Sequence, residues 1–173
     1  MRFPGRITAG TLTVAVQYVI VSLIAYLGAY SFTNLVHGSY ASIGGLWAMI
    51  SGMVVLQATM DATESTAGRR VFGSLVGAVL SAAYLLVFPF SPVGMALSIG
   101  ITVLICQAFQ VPDHARLAAI TVGAIMIFSD LNPEIGPVVN AALRFGEVFI
   151  GSTVAVLVVR FWPFSPKDET RAE

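Results

Sequence analysis

Apolar residues run through this chain in six blocks, each closed by a short polar or turn-rich stretch, at 10–30, 40–60, 71–88, 93–109, 116–128 and 145–162. A hydrocarbon core of about 30 Å takes roughly 20 helical residues at about 1.5 Å rise each. The pattern therefore predicts an all-α, polytopic membrane protein with six transmembrane helices. The fifth block is the shortest, and its ends are the least defined. Between the blocks lie Asp61–Arg70, with Asp61 and Glu64 beside Arg69 and Arg70, and Ser129–Arg144, whose Asp130, Asn132, Pro133, Gly136 and Pro137 are turn-formers. Pro89 and Pro92 predict a tight turn. These pieces are too short to build a soluble core, so 1–163 reads as one transmembrane domain and 164–173 as a short cytoplasmic tail.

Charge orients the bundle. When the loops are assigned alternately to two sides, Arg2, Arg6, Arg69, Arg70, Arg116, Arg160, Lys167 and Arg171 share one face and Arg144 alone falls on the other. The positive-inside bias then places both termini in the cytoplasm. Only 10% of residues are charged, against about 25% in soluble domains, because lipid-facing positions disfavour charge. Arg2 and Arg6 before an apolar run imitate a signal peptide. That run, however, holds Gln17 and several aromatics and lacks a small-x-small cleavage site, which predicts a retained first helix.

Several function classes drop out. No basic stripe with interleaved aromatics suggests nucleic acid. No nucleophile and base pair and no phosphate loop suggests an enzyme or a cofactor. Asp113 and His114 lack further ligands at metal spacing. His37 reads as a solvated residue of an outer loop. The single cysteine, Cys106, cannot form an internal disulfide and reads as a small packing residue.

Small residues at helical spacing predict close helix contacts, which in lipid must supply attraction that the hydrophobic effect does not. The ridges are Gly44, Ala48 and Gly52 in the second block; Gly73, Gly77 and Ser81 in the third; Ala115, Ala119 and Gly123 in the fifth; and Gly151 with Ala155 in the sixth. Arg70 precedes Gly77 by seven residues, and Arg144 precedes Gly151 by seven. This offset of 74 residues equals three blocks, and an odd number of crossings reverses orientation. A 3+3 inverted repeat follows as an expectation, with one arginine at each mouth of a shared pathway.

A carboxylate entering a low-dielectric passage needs positive charge to replace lost hydration, and the planar guanidinium fork suits it. Arg70 and Arg144 are the candidate anion-binding residues. Glu147, three residues past Arg144, shares its helix face. It forms either a structural pair with Arg144 or a coupling group beside a passing anion. Asp61 and Glu64 are either a solvated charge cluster or part of an inner gate. Tyr30, Tyr40, Phe90, Phe161 and Trp162 fall where interfacial belts belong.

The stretch Leu46–Ala78 resembles the fusaric-acid-resistance family of bacterial membrane transporters and its plant relatives, the aluminium-activated malate transporters. The matching positions are Trp47, Ala48, Arg70, Gly73, Ser74, Gly77 and Ala78, with Arg144, Gly151 and Pro163 near the end of the chain. Ser74 stands where relatives carry Thr, and Gln57 where the plant branch tends to be acidic. The resemblance implies a bacterial inner membrane protein that exports organic anions, in the bacterial branch aromatic carboxylic acids, for which Trp47 is a candidate stacking surface. A single six-helix set then implies a homodimer or higher oligomer in the lipid bilayer, or assembly with a partner chain. A passive anion channel is the other transport reading.

Overall fold

The computed structural model describes residues 9–109 and 112–162; the side chains of Ala9 and of residues 112–114 are not described. Among the described residues the chain is helical throughout. The elements are α1 (Ala9–His37), a 3₁₀ turn (Gly38–Tyr40), α2 (Ala41–Val55), α3 (Met60–Val87), α4 (Pro92–Ala108), α5 (Pro112–Leu131) and α6 (Pro137–Phe161). Three apolar stretches, Gly10–Val55, Met60–Val87 and Pro137–Phe161, are long and apolar enough to cross a bilayer, and Pro92–Ala108 is a shorter apolar helix. The first of them folds back on itself at the 3₁₀ turn, so that α1 lies along α2.

Caps mark where helices start. Thr59 accepts the amide of Ala62 at 3.2 Å to open α3, and Ser91 accepts that of Gly94 at 3.0 Å to open α4, with Pro92 in its first turn. Thr63 ties the α2–α3 turn, donating to the Thr59 carbonyl at 2.8 Å and accepting from the Gln57 amide at 3.2 Å.

Several predicted boundaries move. Asp61–Arg70, read as a loop, is the first third of α3. Arg70 therefore sits about 15 Å along a continuous helix rather than at its mouth. Likewise Ser129–Arg144 is mostly helical, and Arg144 lies two turns inside α6. The loop there shrinks to 132–136. The fifth helix is not the short one: α5 has 20 residues and α2 only 15. His37 is the last residue of α1 rather than a loop residue. Arg70 and Arg144 were read as helix ends, whereas the bundle interior accommodates both within continuous helices. The tail, Arg2, Arg6, Pro163, Lys167 and Arg171, together with the Asp113 and His114 side chains, lies outside the described residues.

The interior is small and polar, and the surface is bulky and apolar. Leu12, Val19, Leu35, Leu86, Val93, Leu104 and Phe161 are exposed, while Gln17, Thr33, Ser51, Ser74, Ser81, Thr102, Asn140 and Ser152 are buried. Arg70 is the largest fully buried side chain. A protein in water reverses this arrangement; one in hydrocarbon needs it, because apolar side chains lose nothing by facing lipid.

Close approach holds the helices. A β-carbon on Gly151 would collide with the Ala48 carbonyl oxygen and lie 3.0 Å from the Gly52 amide nitrogen, so α6 and α2 touch backbone to backbone. A β-carbon on Gly77 would lie 2.6 Å from the Ala118 carbonyl oxygen, bringing α3 equally close to α5. The other neighbours are α1 with α2 and α6, α3 with α4 and α6, α4 with α5, α5 with α6, and α2 with α3. The ridge expected at Ala115, Ala119 and Gly123 is displaced: Ala115, Ala118 and Val122 are buried, and Gly123 faces open space. Cys106 packs, buried, against Ala115 and Ala118.

Candidate functional site

α1 presents a buried stripe of Gln17, Val21, Ala25, Ala29 and Thr33, spaced by four. This carries Thr33 against α6, where its hydroxyl donates to Glu147 Oε1 at 2.9 Å. Arg144 meets the same carboxylate with two nitrogens: Nη2 donates to Oε1 at 3.0 Å, and Nη1 lies 3.0 Å from Oε2 as an ion pair without hydrogen-bond alignment. Gly44 makes the space, since a β-carbon there would lie 2.6 Å from Glu147 Oε1. α1, α2 and α6 thus build one carboxylate niche, and both charged groups in it are buried.

Two aromatic rings flank the guanidinium. Arg144 Cζ lies 5.0 Å from the Phe128 ring centre and 6.0 Å from that of Trp47, within cation–π range. Phe128 is in turn met edge-on by Tyr40, at 5.3 Å between centres. The Tyr40 hydroxyl donates to Glu134 in the α5–α6 loop, tying that loop to the α1–α2 turn above the pair. The same bond holds the Glu134 carboxyl below its ordinary value.

Arg70 has a different setting. It is buried, and its Nη2 and Nε donate to Ser51 Oγ at 3.2 and 3.4 Å. No carboxylate pairs with it among the described residues. Asp61 and Glu64, placed beside it by the sequence, are exposed on the first turns of α3. Ser74, one turn further, meets Thr121 of α5 at 3.2 Å.

Trp47, Arg144 and Glu147 are therefore brought together, and Arg70 stands apart with Ser51. Gly52 and Gly151 meet at the α2–α6 crossing, Gly77 meets α5, and Gly73 is buried beside Ser74. Three cavities open elsewhere: one of about 270 Å³ among Ile20, Val154 and Phe161, one of about 460 Å³ beside Tyr18 and Met49, and one of about 290 Å³ between Gln17 and Gln57. Neither arginine lines any of the three. Sequence reasoning missed Thr33, Ser51 and Phe128. The four-residue stripe in α1 was a visible signal for Thr33; Ser51 lies one residue off the glycine ridge, and nothing local marked Phe128.

An inside-out helical bundle with buried guanidinium groups defines a multi-pass membrane protein. Residues 28–158, about three quarters of the chain, match the model for fusaric acid resistance protein-like sequences. The chain belongs to that family, and membership carries a transport or efflux role. No curated protein and no solved structure matches it.

Proposed function

We propose that this protein exports organic anions, chiefly aromatic carboxylic acids, across a bacterial inner membrane and catalyses no reaction of its own. In this reading six helices cross the bilayer with both termini in the cytoplasm. Arg70 serves the inner part of the route and Arg144 the outer part, and Trp47 offers its ring to the substrate. Glu147 is the coupling group, and Asp61 and Glu64 shape the inner entrance. One observation carries the reading: both guanidinium groups point into the bundle rather than snorkelling to headgroups, where an arginine in a span would otherwise reside.

The inverted repeat belongs to the same proposal, and the helix neighbours support it. Exchanging α1 with α4, α2 with α5 and α3 with α6 leaves the set of principal helix contacts unchanged. Val87 and Phe161, the last residues of α3 and α6, are 74 positions apart, as are Arg70 and Arg144. Gly77 seats α3 on α5, and Gly151 seats α6 on α2, which are exchanged roles. Alternating access would then be a rocking of one half on the other. A homodimer or higher oligomer completes the proposal.

Flux of benzoate and of malate into proteoliposomes tests it, comparing wild type with Arg70→Ala and Arg144→Ala at equal amounts of folded protein. Both substitutions are expected to reduce benzoate flux severalfold. Undiminished flux in both removes the proposed route. Currents that reverse at the anion's Nernst potential and ignore a proton gradient would instead identify a passive channel. An inactive purified chain that recovers flux with a co-purified partner would identify a subunit.

A further inference from the structure

The Arg144 niche is already furnished for a carboxylate. It offers a guanidinium with two nitrogens on the acid and a hydroxyl donor in Thr33, and the space left by the missing side chain of Gly44 is filled by Thr33 and the Glu147 carboxylate. Its walls are the rings of Phe128 and Trp47. Arg144 Nε remains buried without a hydrogen-bond partner, as does Oδ1 of Asn140 one turn earlier on α6. The group filling the niche is Glu147, an acid tethered three residues away on the same helix. We infer that Arg144 and its aromatic walls form a binding site for an aromatic monocarboxylate, and that Glu147 is an intramolecular competitor holding the site closed until a substrate acid displaces it.

The inference rests on the organic-anion reading and adds how its outer site is regulated. A carboxylate cannot share the niche with Glu147, because two unprotonated acids on one guanidinium repel at close range in a low dielectric. The site therefore exchanges one acid for another. Charge in the buried site is conserved in the exchange only if Glu147 takes up a proton as the substrate anion enters. The aromatic rings give an arylcarboxylate a contact that the Glu147 side chain cannot make. Among the described residues, Arg70 meets a hydroxyl rather than a carboxylate and carries no such competitor.

Benzoate binding to the purified full-length chain in detergent tests this directly. The chain has two tryptophans, so Trp162→Phe leaves Trp47, beside Arg144, as the sole indole reporter. In that background Glu147→Gln is expected to bind benzoate about tenfold more tightly, a difference of about 1.4 kcal/mol. The gain should vanish when Arg144→Ala is added. Glu147→Gln leaves the guanidinium without a counter-ion and can fail to fold alone; folding only in the presence of benzoate supports the inference equally. Glu147→Asp, which keeps a counter-charge on the helix but shortens its reach to the guanidinium, is the second variant and should tighten benzoate binding by a smaller factor. Unchanged or weaker affinity in the folded variants overturns the inference, as does a Trp47 response that survives loss of Arg144. The two readings fail separately: arginine-dependent flux with no gain in Glu147→Gln sinks the competitor alone. A gain in a chain that moves no anion sinks transport alone.

Discussion

Arg70 and Arg144 each stand seventeen residues before the end of a long helix, and each is buried against α2. Three residues past Arg144 comes Glu147; three past Arg70 comes Gly73. That single difference separates a guanidinium with its own counter-ion from one held by a serine hydroxyl. A buried unpaired charge costs several kcal/mol, so the Arg70 setting persists only where something repays it. An anion in transit does so in the proposed function. The Arg144 setting is internally neutral and needs no guest. In the proposed function, one half is therefore poised to accept an anion, and the other must first release its own.

The sharpest break of this comparison is in stability. Arg144→Ala strands the Glu147 carboxylate in the interior and should cost about 3–5 kcal/mol, read by denaturant titration of the detergent-solubilised protein. Among the described residues, Arg70→Ala strands the Ser51 hydroxyl, and it should cost about 1–3 kcal/mol. The double change Arg144→Met with Glu147→Leu should recover most of the larger loss, and the cycle gives the coupling directly. Equal losses for the two single variants would show that the halves do not differ as described.

Next in size are the glycine crossings. Gly151→Val and Gly77→Val drive side chains into the backbones of α2 and α5, and overpacking of this kind costs about 1–3 kcal/mol or more. Gly123→Ala, facing open space, should leave the melting temperature unchanged. A marked difference between Gly151→Val and Gly77→Val would argue against exchanged roles for the two halves. Ser51→Ala comes third. It removes the hydroxyl that accepts from Arg70, costing about 1 kcal/mol, and should weaken Arg70-dependent flux while sparing the Arg144 pair.

The smallest effect is a pH response at the α5–α6 loop. The Glu134 carboxyl is held below its ordinary value of 4.5 by the Tyr40 hydroxyl, so its folded form binds protons less readily than its unfolded form. Its contribution is fully present above 4.5 and is lost as pH falls through the lowered value. Exchange protection across 132–136, taken relative to the intrinsic rate at each pH, should therefore be flat from neutral pH down to that range, and Tyr40→Phe should abolish the acid response. A change near neutral pH would assign the response to another group.

Much of the fold was legible. Six apolar blocks became six helices among the described residues, and the glycines of the second, third and sixth blocks sit where helices touch. Helix ends were misread at Asp61–Arg70 and Ser129–Arg144, because charge was taken as a sign of the water boundary. Arg70 and Glu147 instead lie inside continuous helices, where neighbouring helices supply their partners. The Arg144–Glu147 pairing followed from spacing of three on one helix. Thr33, Ser51 and Phe128 belong to other helices, and no local pattern fixes which helices meet.

Composition and periodicity alone determined that this chain lives in lipid, that it does so as helices, and which residues are too polar for a lipid face. Those are properties of single segments, set by the transfer of side chains and peptide groups out of water. Which arginine is neutralised, and which is left open, was decided only by packing. Charge compensation in an interior depends on distances of a few ångströms between elements far apart along the chain, and those exist only after the helices have chosen their neighbours.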